Sequence, residues 1–412
     1  MAPRRAVGRR HRGGVAARVS QGLSRRDVLR GALAATGLLI APPSLSSVGA
    51  VVRRARRDAL ADGGLGAADH NGVRLPPGFR SRIVARSGQA PVPGSTYVWP
   101  GSPDGGACFA IADGGWVYVA NSELPGGDGG VGALRFDAQA QLIAAYSILT
   151  GTSLNCAGGA TPWGTWLSCE EFPQGEVFEC DPLGRSPAVV RPALGTFKHE
   201  AATVDPVAHR IYLTEDTPDG RLYRFTPAAS SADGGMDLSA GGLEVAQVVD
   251  GQTVRWHTLP DPSAAHRPTA RQVAQSTPFA GGEGMAWSHG VLYFVTKYDN
   301  RVWAYDIAAE TIRVIYDDDR YQDPVLTGVD NVAIAPSGDV LVAEDGGDMQ
   351  IVALNAAGAV YPILQVAGHS GSEITGPAFD PSGTRLYFSS QRGPHGQMSE
   401  GITYEVTGPF AA

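Results

Sequence analysis

Apolar residues in this chain fall into short runs, and the runs stop on the same kind of group. Thr165 to Ser168 runs into Cys169-Glu170-Glu171, Ile211 to Thr214 into Glu215-Asp216, and Val340 to Ala343 into Glu344-Asp345. Val117 to Glu123, Leu292 to Asp299 and Leu386 to Gln391 are looser copies. Runs of this length, rich in β-branched and aromatic residues and bounded by turn residues, predict buried strands. Packing gives no reason to end such strands on carboxylates, which are costly to bury unless paired or bound to metal.

The surrounding pattern repeats as well. A unit opens on a polar group and a strand of small residues, turns a corner, and enters the acid-ended strand. A third strand follows, as in 220–225, 300–305 and 349–354. Corners such as Val204-Asp205-Pro206, Pro336-Ser337-Gly338-Asp339 and Asp380-Pro381-Ser382-Gly383 carry turn residues, with the aspartates as local caps. Antiparallel units at this spacing predict an all-β, six-bladed β-propeller, whereas a Greek-key sandwich leaves six copies of one pattern unexplained. The strand at 79–85 is expected to pair near 402–406 and close the ring. Residues 227–281 break the rhythm and predict an excursion with strands in 244–259 and a short helix over 264–275, within a single domain spanning 76–412.

The first fifty residues stand apart. Arginines crowd the segment, Ser24-Arg25-Arg26-Asp27 precedes an apolar run from Gly31 to Ala41, and small residues follow at 47–50. This predicts a signal peptide of the twin-arginine type. The apolar run is too short to span a bilayer, so no stable membrane anchor is expected. Export by the twin-arginine machinery to the periplasm or beyond is the expectation. That route carries folded proteins, which suits a chain loaded with metal before it leaves. Residues 51–75 lack periodicity and are expected to be a flexible linker.

Charge narrows the partners. The whole chain carries −8, and the first fifty residues hold nine Arg and one Asp, which leaves the remainder at −16. Such a body is a poor partner for nucleic acid or anionic membrane, and it repels phosphate unless bound cations reverse the local sign. A monomer is expected. Of the four cysteines, Cys156 and Cys180 are a possible disulfide, with buried free thiols the alternative.

The unit-opening groups are Asn155, His199-Glu200, Glu283, Asp330-Asn331 and Glu373. Each of the first four precedes an acid-ended partner by a similar stretch: Glu170, Glu215, Asp299 and Glu344. The start of one strand and the end of its antiparallel neighbour share an edge, and the inner strands of a propeller line a channel. These groups therefore converge on one mouth. A ring of Glu170, Glu171, Glu200, Glu215, Asp216, Glu283, Asp330, Glu344 and Glu373 requires cations to stay ionised. Oxygen ligands suit calcium or magnesium, while the Cys169 thiolate and His199 imidazole suit a transition metal. Glu171 and Asp216 also read as solvated loop acids, and Asp345-Gly346-Gly347 as a turn. Lys198, Arg221, Lys297 and Arg392 are the basic groups nearest the mouth.

The stretch from Asn155 to Glu171 (NCAGGATPWGTWLSCEE), Lys198-His199-Glu200 with Leu213 to Asp216, Gly282-Glu283-Gly284, Asp330-Asn331 and Glu344-Asp345 resemble the PhoX family of exported bacterial alkaline phosphatases. The resemblance runs from about Leu75 onward and implies a six-bladed propeller hydrolysing phosphomonoesters with Fe3+ and Ca2+. On matched positions it implies Cys169, Glu200 and Glu283 as iron ligands. It implies Glu123, Glu170, Asp330, Asn331 and Glu344 as calcium or neighbouring positions, and Asn155 as a phosphate-contacting amide. Lys198 and Glu200 join Asn155 as the catalytic candidates. The chain resembles a compact branch: Asn121-Ser122-Glu123 replaces the usual Asn-His-Glu, and Thr277 to Gly281 lacks an arginine common in larger members. A calcium-dependent lactonase or esterase, or a non-catalytic propeller pinned by cations, are the competing functions.

Overall fold

Six strands made largely of small residues surround a central channel: Pro103–Ala110, Asn155–Ala160, His199–Asp205, Gly282–Ser288, Val329–Ile334 and Ile374–Phe379. Each packs against the next, and the last returns to the first, so the inner strands form a closed ring. All six line a channel cavity of about 340 Å³. Small side chains are required because the strands crowd the axis. A Cβ on Gly105 would lie 2.5 Å from Ala157 Cα, and one on Gly284 2.6 Å from Asn331 Cα.

This computed structural model describes residues 64–230 and 235–410. The predicted signal peptide and most of the predicted linker lie outside them. The fold is an all-β propeller. Each inner strand pairs antiparallel with its acid-ended partner, and further strands continue outward. Hydrogen bonding divides the strands into five sheets. The largest, of nine strands, joins two of the repeating units through a single residue pair, Thr253 with Thr311. Six apolar clusters fill the gaps between neighbouring units. One holds Val117, Val119 and Trp166, another Leu167, Cys169, Ile211 and Leu213, and a third Val295, Val302 and Val342. Strands with side chains buried on both faces explain why the sequence shows continuous apolar runs rather than alternation.

Closure follows the expectation. Arg80–Arg86 pairs with Ile402–Thr407, from Arg80 opposite Thr407 to Arg86 opposite Ile402. The corner aspartates cap turns as expected: Asp205 Oδ1 accepts the Val207 and Ala208 amides, and Asp380 Oδ1 those of Thr384 and Arg385.

Two expectations are corrected, and the two readings of the cysteines are decided. Residues 64–75 belong to the fold, since Val73–Arg74 adds a strand to Val360–Val366 and Asp69 Oδ1 accepts the Asn71 and Val73 amides. The predicted helix over 264–275 reduces to one 3-10 turn, Thr269–Arg271. There the Asp261 carboxylate accepts the Ser263 and Ala265 amides, and the Gln272 side chain donates to the Asp261 and Arg267 carbonyls, so side chains hold backbone groups a helix would need. All four cysteines are free thiols.

Candidate metal centre

Every inner strand carries a register irregularity at its mouth end. Pairing skips between Pro103 and Gly106, Asn155 and Gly158, His199 and Ala202, Gly282 and Met285, Val329 and Val332, and Thr375 and Ala378. A bulge inserts an extra residue and re-aims its side chain. The first inserted residues are Asp104, Cys156, Glu200, Glu283, Asp330 and Gly376. Five of the six therefore carry a carboxylate or thiol to one end of the channel.

Neighbouring side chains satisfy the backbone groups that these bulges unpair. Asn121 Nδ2 donates to the carbonyls of Cys156 (2.7 Å) and Ala157 (2.6 Å). Thr214 Oγ1 donates to the Glu283 carbonyl and accepts the Ala201 amide. Thr375 Oγ1 donates to the Pro103 carbonyl. Asn331 donates from Nδ2 to Asp330 Oδ1 and accepts the Gly376 amide.

A second tier comes from the acid-ended strands, one residue past the last pairing position: Glu123, Glu171, Asp216, Lys297, Asp345 and Gln391. Potential ligand atoms of Glu200, Glu283 and Asp330 lie within 4.8 Å of one another, as do those of Glu123, Cys156 and Glu171, and those of Asp104, Glu123 and Glu373. Cys156 Sγ is 3.4 Å from Glu200 Oε1, and Glu200 Oε2 is buried without a hydrogen-bond partner. Gln391 Nε2 donates to Asp104 Oδ2 and to Glu123 Oε2.

Burial and crowding push these acids toward neutrality. Burial, then repulsion from Glu283 and Glu171, raises the Glu200 carboxyl well above its usual range. Burial raises Glu171 to about 8 against the pull of Lys198, and Asp330 to about 7 against that of Lys297. The Cys156 thiol is raised by burial and by Asp104 and Glu200.

Three cations partly neutralise the rim. Lys198 Nζ lies 2.6 Å from Glu171 and 2.9 Å from Asp216. Lys297 Nζ lies 3.0 Å from Glu283 and 3.5 Å from Asp345, and Arg392 bonds Glu373 at 2.9 Å. Acids still outnumber these cations. A buried carboxylate oxygen with no partner, carboxylates packed around it and one thiol form a donor set that fits both hard and softer cations.

Placement of the predicted residues is mixed. Glu200, Glu283, Asp330, Asn331, Glu123 and Lys198 gather at the mouth. Cys169 does not: Trp166, Ser168 and Glu170 occupy one face of their strand, and Leu167 and Cys169 the other, inside an apolar cluster. Burial in that cluster pushes its thiol up. Glu170 instead accepts the Ser153 and Glu176 amides, Glu215 the Arg221 amide and the Tyr223 hydroxyl, and Glu344 the Thr327 and Gln350 amides. These three acids pin loops, while Glu171 and Asp216, which also read as solvated, face the mouth. Asn155 is fully buried; it donates to Ser168 Oγ and accepts from Thr152 Oγ1. His199 pairs its Nε2 with the Gly195 carbonyl, and Arg221 bonds Ser276 and nearby carbonyls.

Asp104, Cys156, Asn121 and Gln391 were missed as functional positions. For Asp104 and Cys156 the available signal is the bulge itself, an acid or thiol followed by two small residues, as in Asp104-Gly-Gly, Cys156-Ala-Gly and, at a predicted site, Glu200-Ala-Ala.

A propeller with a carboxylate- and thiol-lined mouth is a scaffold for cation-dependent chemistry. The alkaline phosphatase PhoX family is matched over residues 123–178, 173–313 and 303–393, and the chain belongs to that family. Its fold is similar to Pseudomonas fluorescens PhoX solved with vanadate, a transition-state analogue. The TM-score is 0.69 at 17% identity, covering 84% of this chain and 97% of that one. A Bacteroides thetaiotaomicron protein of unknown function aligns with TM-score 0.50 at 9% identity, over 80% of this chain and 76% of the other. A Xanthomonas campestris gluconolactonase aligns with TM-score 0.46 at 15% identity, over 84% and 98%. Curated protein sequences give no match.

Proposed function

We propose that the chain hydrolyses phosphomonoesters at this mouth with Fe3+ and Ca2+ held by the bulge residues. Cys156, Glu200 and Glu283 would hold iron, with Asp104, Glu123, Glu171, Asp330 and Glu373 toward calcium. Bound cations there would offset the carboxylates, neutralise phosphate oxygens and supply an activated water. The observation that carries the reading is the unpartnered Oε2 of Glu200, buried among Glu283, Asp330 and Cys156.

The chain's own groups have definable tasks. Lys198, Lys297 and Arg392, each tethered to mouth carboxylates, present cationic donors to an anionic substrate. Asn121 and Asn331 hold the bulges so that the ligand atoms keep their spacing. A lactonase leaves Cys156 without a role.

Export by the twin-arginine route to the periplasm or beyond is part of the proposal, supported by Ser24-Arg25-Arg26 and the short apolar run after them. Among the described residues no helix is long and apolar enough to cross a membrane. We count the blades as six, from the six inner strands, and take the active unit to be a monomer.

The test is turnover of p-nitrophenyl phosphate by purified protein supplied with calcium and iron, alongside elemental analysis. Hydrolysis that chelation abolishes is expected. A metal-loaded protein inert toward every phosphomonoester tried would overturn the reading.

A further inference from the structure

A cavity of about 480 Å³ adjoins the mouth, a volume in the range of small-molecule sites. One wall is the excursion, residues 263–271; the other includes Pro173, Phe197, Lys198 and Thr217. Lys198 connects the two sites, because its ammonium lies 2.6 Å from Glu171, whose carboxylate groups with Cys156 and Glu123. A molecule whose phosphate sits at the mouth can therefore extend past Lys198 into this cavity.

The charges lining the cavity are unequal in availability. Glu215 is turned inward onto the Arg221 amide and the Tyr223 hydroxyl. Asp219 stands 4.0 Å from Arg271, both more than half exposed. Lys198 is engaged by Glu171 and Asp216. Arg267 is exposed and has no ion pair or side-chain hydrogen bond among the described residues. Its backbone is nevertheless fixed, since Gln272 Nε2 donates to the Arg267 carbonyl at 2.9 Å and the Gln272 amide is tied to Asp261 at both ends. The excursion is thus a braced wall holding an unpaired guanidinium at a cavity that shares Lys198 with the mouth.

We propose that this cavity is the leaving-group subsite, and that Arg267 selects phosphomonoesters whose leaving group carries a second anionic group, a carboxylate or another phosphate. A guanidinium suits such groups because its planar fork matches their oxygens. The inference rests on the phosphatase reading.

The metal-loaded protein should be assayed with phenyl phosphate and 4-carboxyphenyl phosphate, which differ in the distal carboxylate, with the Arg267→Ala ratio as the control for its effect on leaving-group acidity. Wild type is expected to favour the carboxylated ester in kcat/KM by roughly tenfold, a discrimination of about 1.4 kcal/mol. Arg267→Ala should bring the ratio close to one, mainly through KM, and Arg267→Lys should restore part of it. A wild-type ratio near one, or a ratio unchanged by Arg267→Ala, overturns the subsite. Calorimetric binding of benzylphosphonate and its 4-carboxy counterpart reads the cavity without turnover. If no ester is hydrolysed yet the carboxylated phosphonate binds more tightly, the phosphatase reading fails and with it the leaving-group role, while the anion-binding cavity at Arg267 stands; equal binding overturns the cavity as well.

Discussion

Cys156 Sγ lies 3.4 Å from Oε1 of Glu200 on the adjacent inner strand. Both occupy the first inserted position of a bulge, so the contact repeats the ring's geometry. It puts the Cys156 thiol, and not that of Cys169, at the mouth.

Substitution at the two cysteines should therefore separate cleanly. Cys156→Ser should lower the transition-metal content sharply and reduce turnover, because an oxygen replaces the softer ligand. Cys169→Ser should keep the metal and cost roughly 1–3 kcal/mol of stability by placing a hydroxyl among Leu167, Leu213 and Val177. Elemental analysis and denaturant unfolding check the pair. Metal loss in the Cys169 variant alone would refute the assignment.

Asn121 is expected to matter without touching any ion. Asn121→Ala leaves the Cys156 and Ala157 carbonyls without their donor, at roughly 1–3 kcal/mol for each group left unsatisfied. The bulge that aims Cys156 should loosen with them. The expected result is a lower melting temperature together with weaker metal binding in a chelator competition.

Glu344 tests the difference between pinning and ligating. Glu344→Gln should leave calcium content intact while lowering stability by about 1–2 kcal/mol, since an amide replaces one of two charged acceptors for the Thr327 and Gln350 amides. Glu200→Gln should do the reverse and reduce metal binding. Calcium loss in the Glu344 variant would count against the loop-pinning role.

The metal-free protein should lose stability as pH rises. Asp330, raised from 3.8 to about 7, and Glu171, raised from 4.5 to about 8, bind protons more tightly folded than unfolded. Their contribution is complete below the ordinary carboxylate range and disappears as pH climbs through 7 to 8. Bound cations remove the reason for the shift, so loaded protein should show a flatter profile. Melting temperatures from pH 4 to 8, with and without chelator, measure this; a metal-free protein that grows more stable across that window contradicts it.

The strands were legible because their apolar runs are continuous, and the ring closure because a strand at 79–85 precedes the repeating units and can pair with the last of them. The convergence of Glu200, Glu283 and Asp330 was legible too, since antiparallel pairing puts strand starts and ends on one edge. The side-chain directions were not. The bulges lie in the inner strands and aim Cys156 and Asp330 at the mouth, whereas Glu170 and Glu344 are the last paired residues of the neighbouring strands and turn to loops, with Glu171 and Asp345 one step beyond them at the mouth. Cys169 followed the regular alternation of its own strand into the core, whereas Cys156 sits in an irregularity that its sequence marks only with small residues. The excursion misled for another reason: Asp261 and Gln272 bond to the backbone around them, and Pro268 sits directly before the turn where a helix was expected.

The pairing of Arg80–Arg86 with Ile402–Thr407 has a consequence for how the protein folds. Two strands more than three hundred residues apart must meet before the circle exists, and Glu373 and Gln391 flank strands of the sheet in which they meet. A chain in which that pairing has not formed has an open ring and a ligand set not yet assembled. Cation loading would thereby be tied to closure of the ring, and an ion retained at the mouth would report that its first and last strands have met.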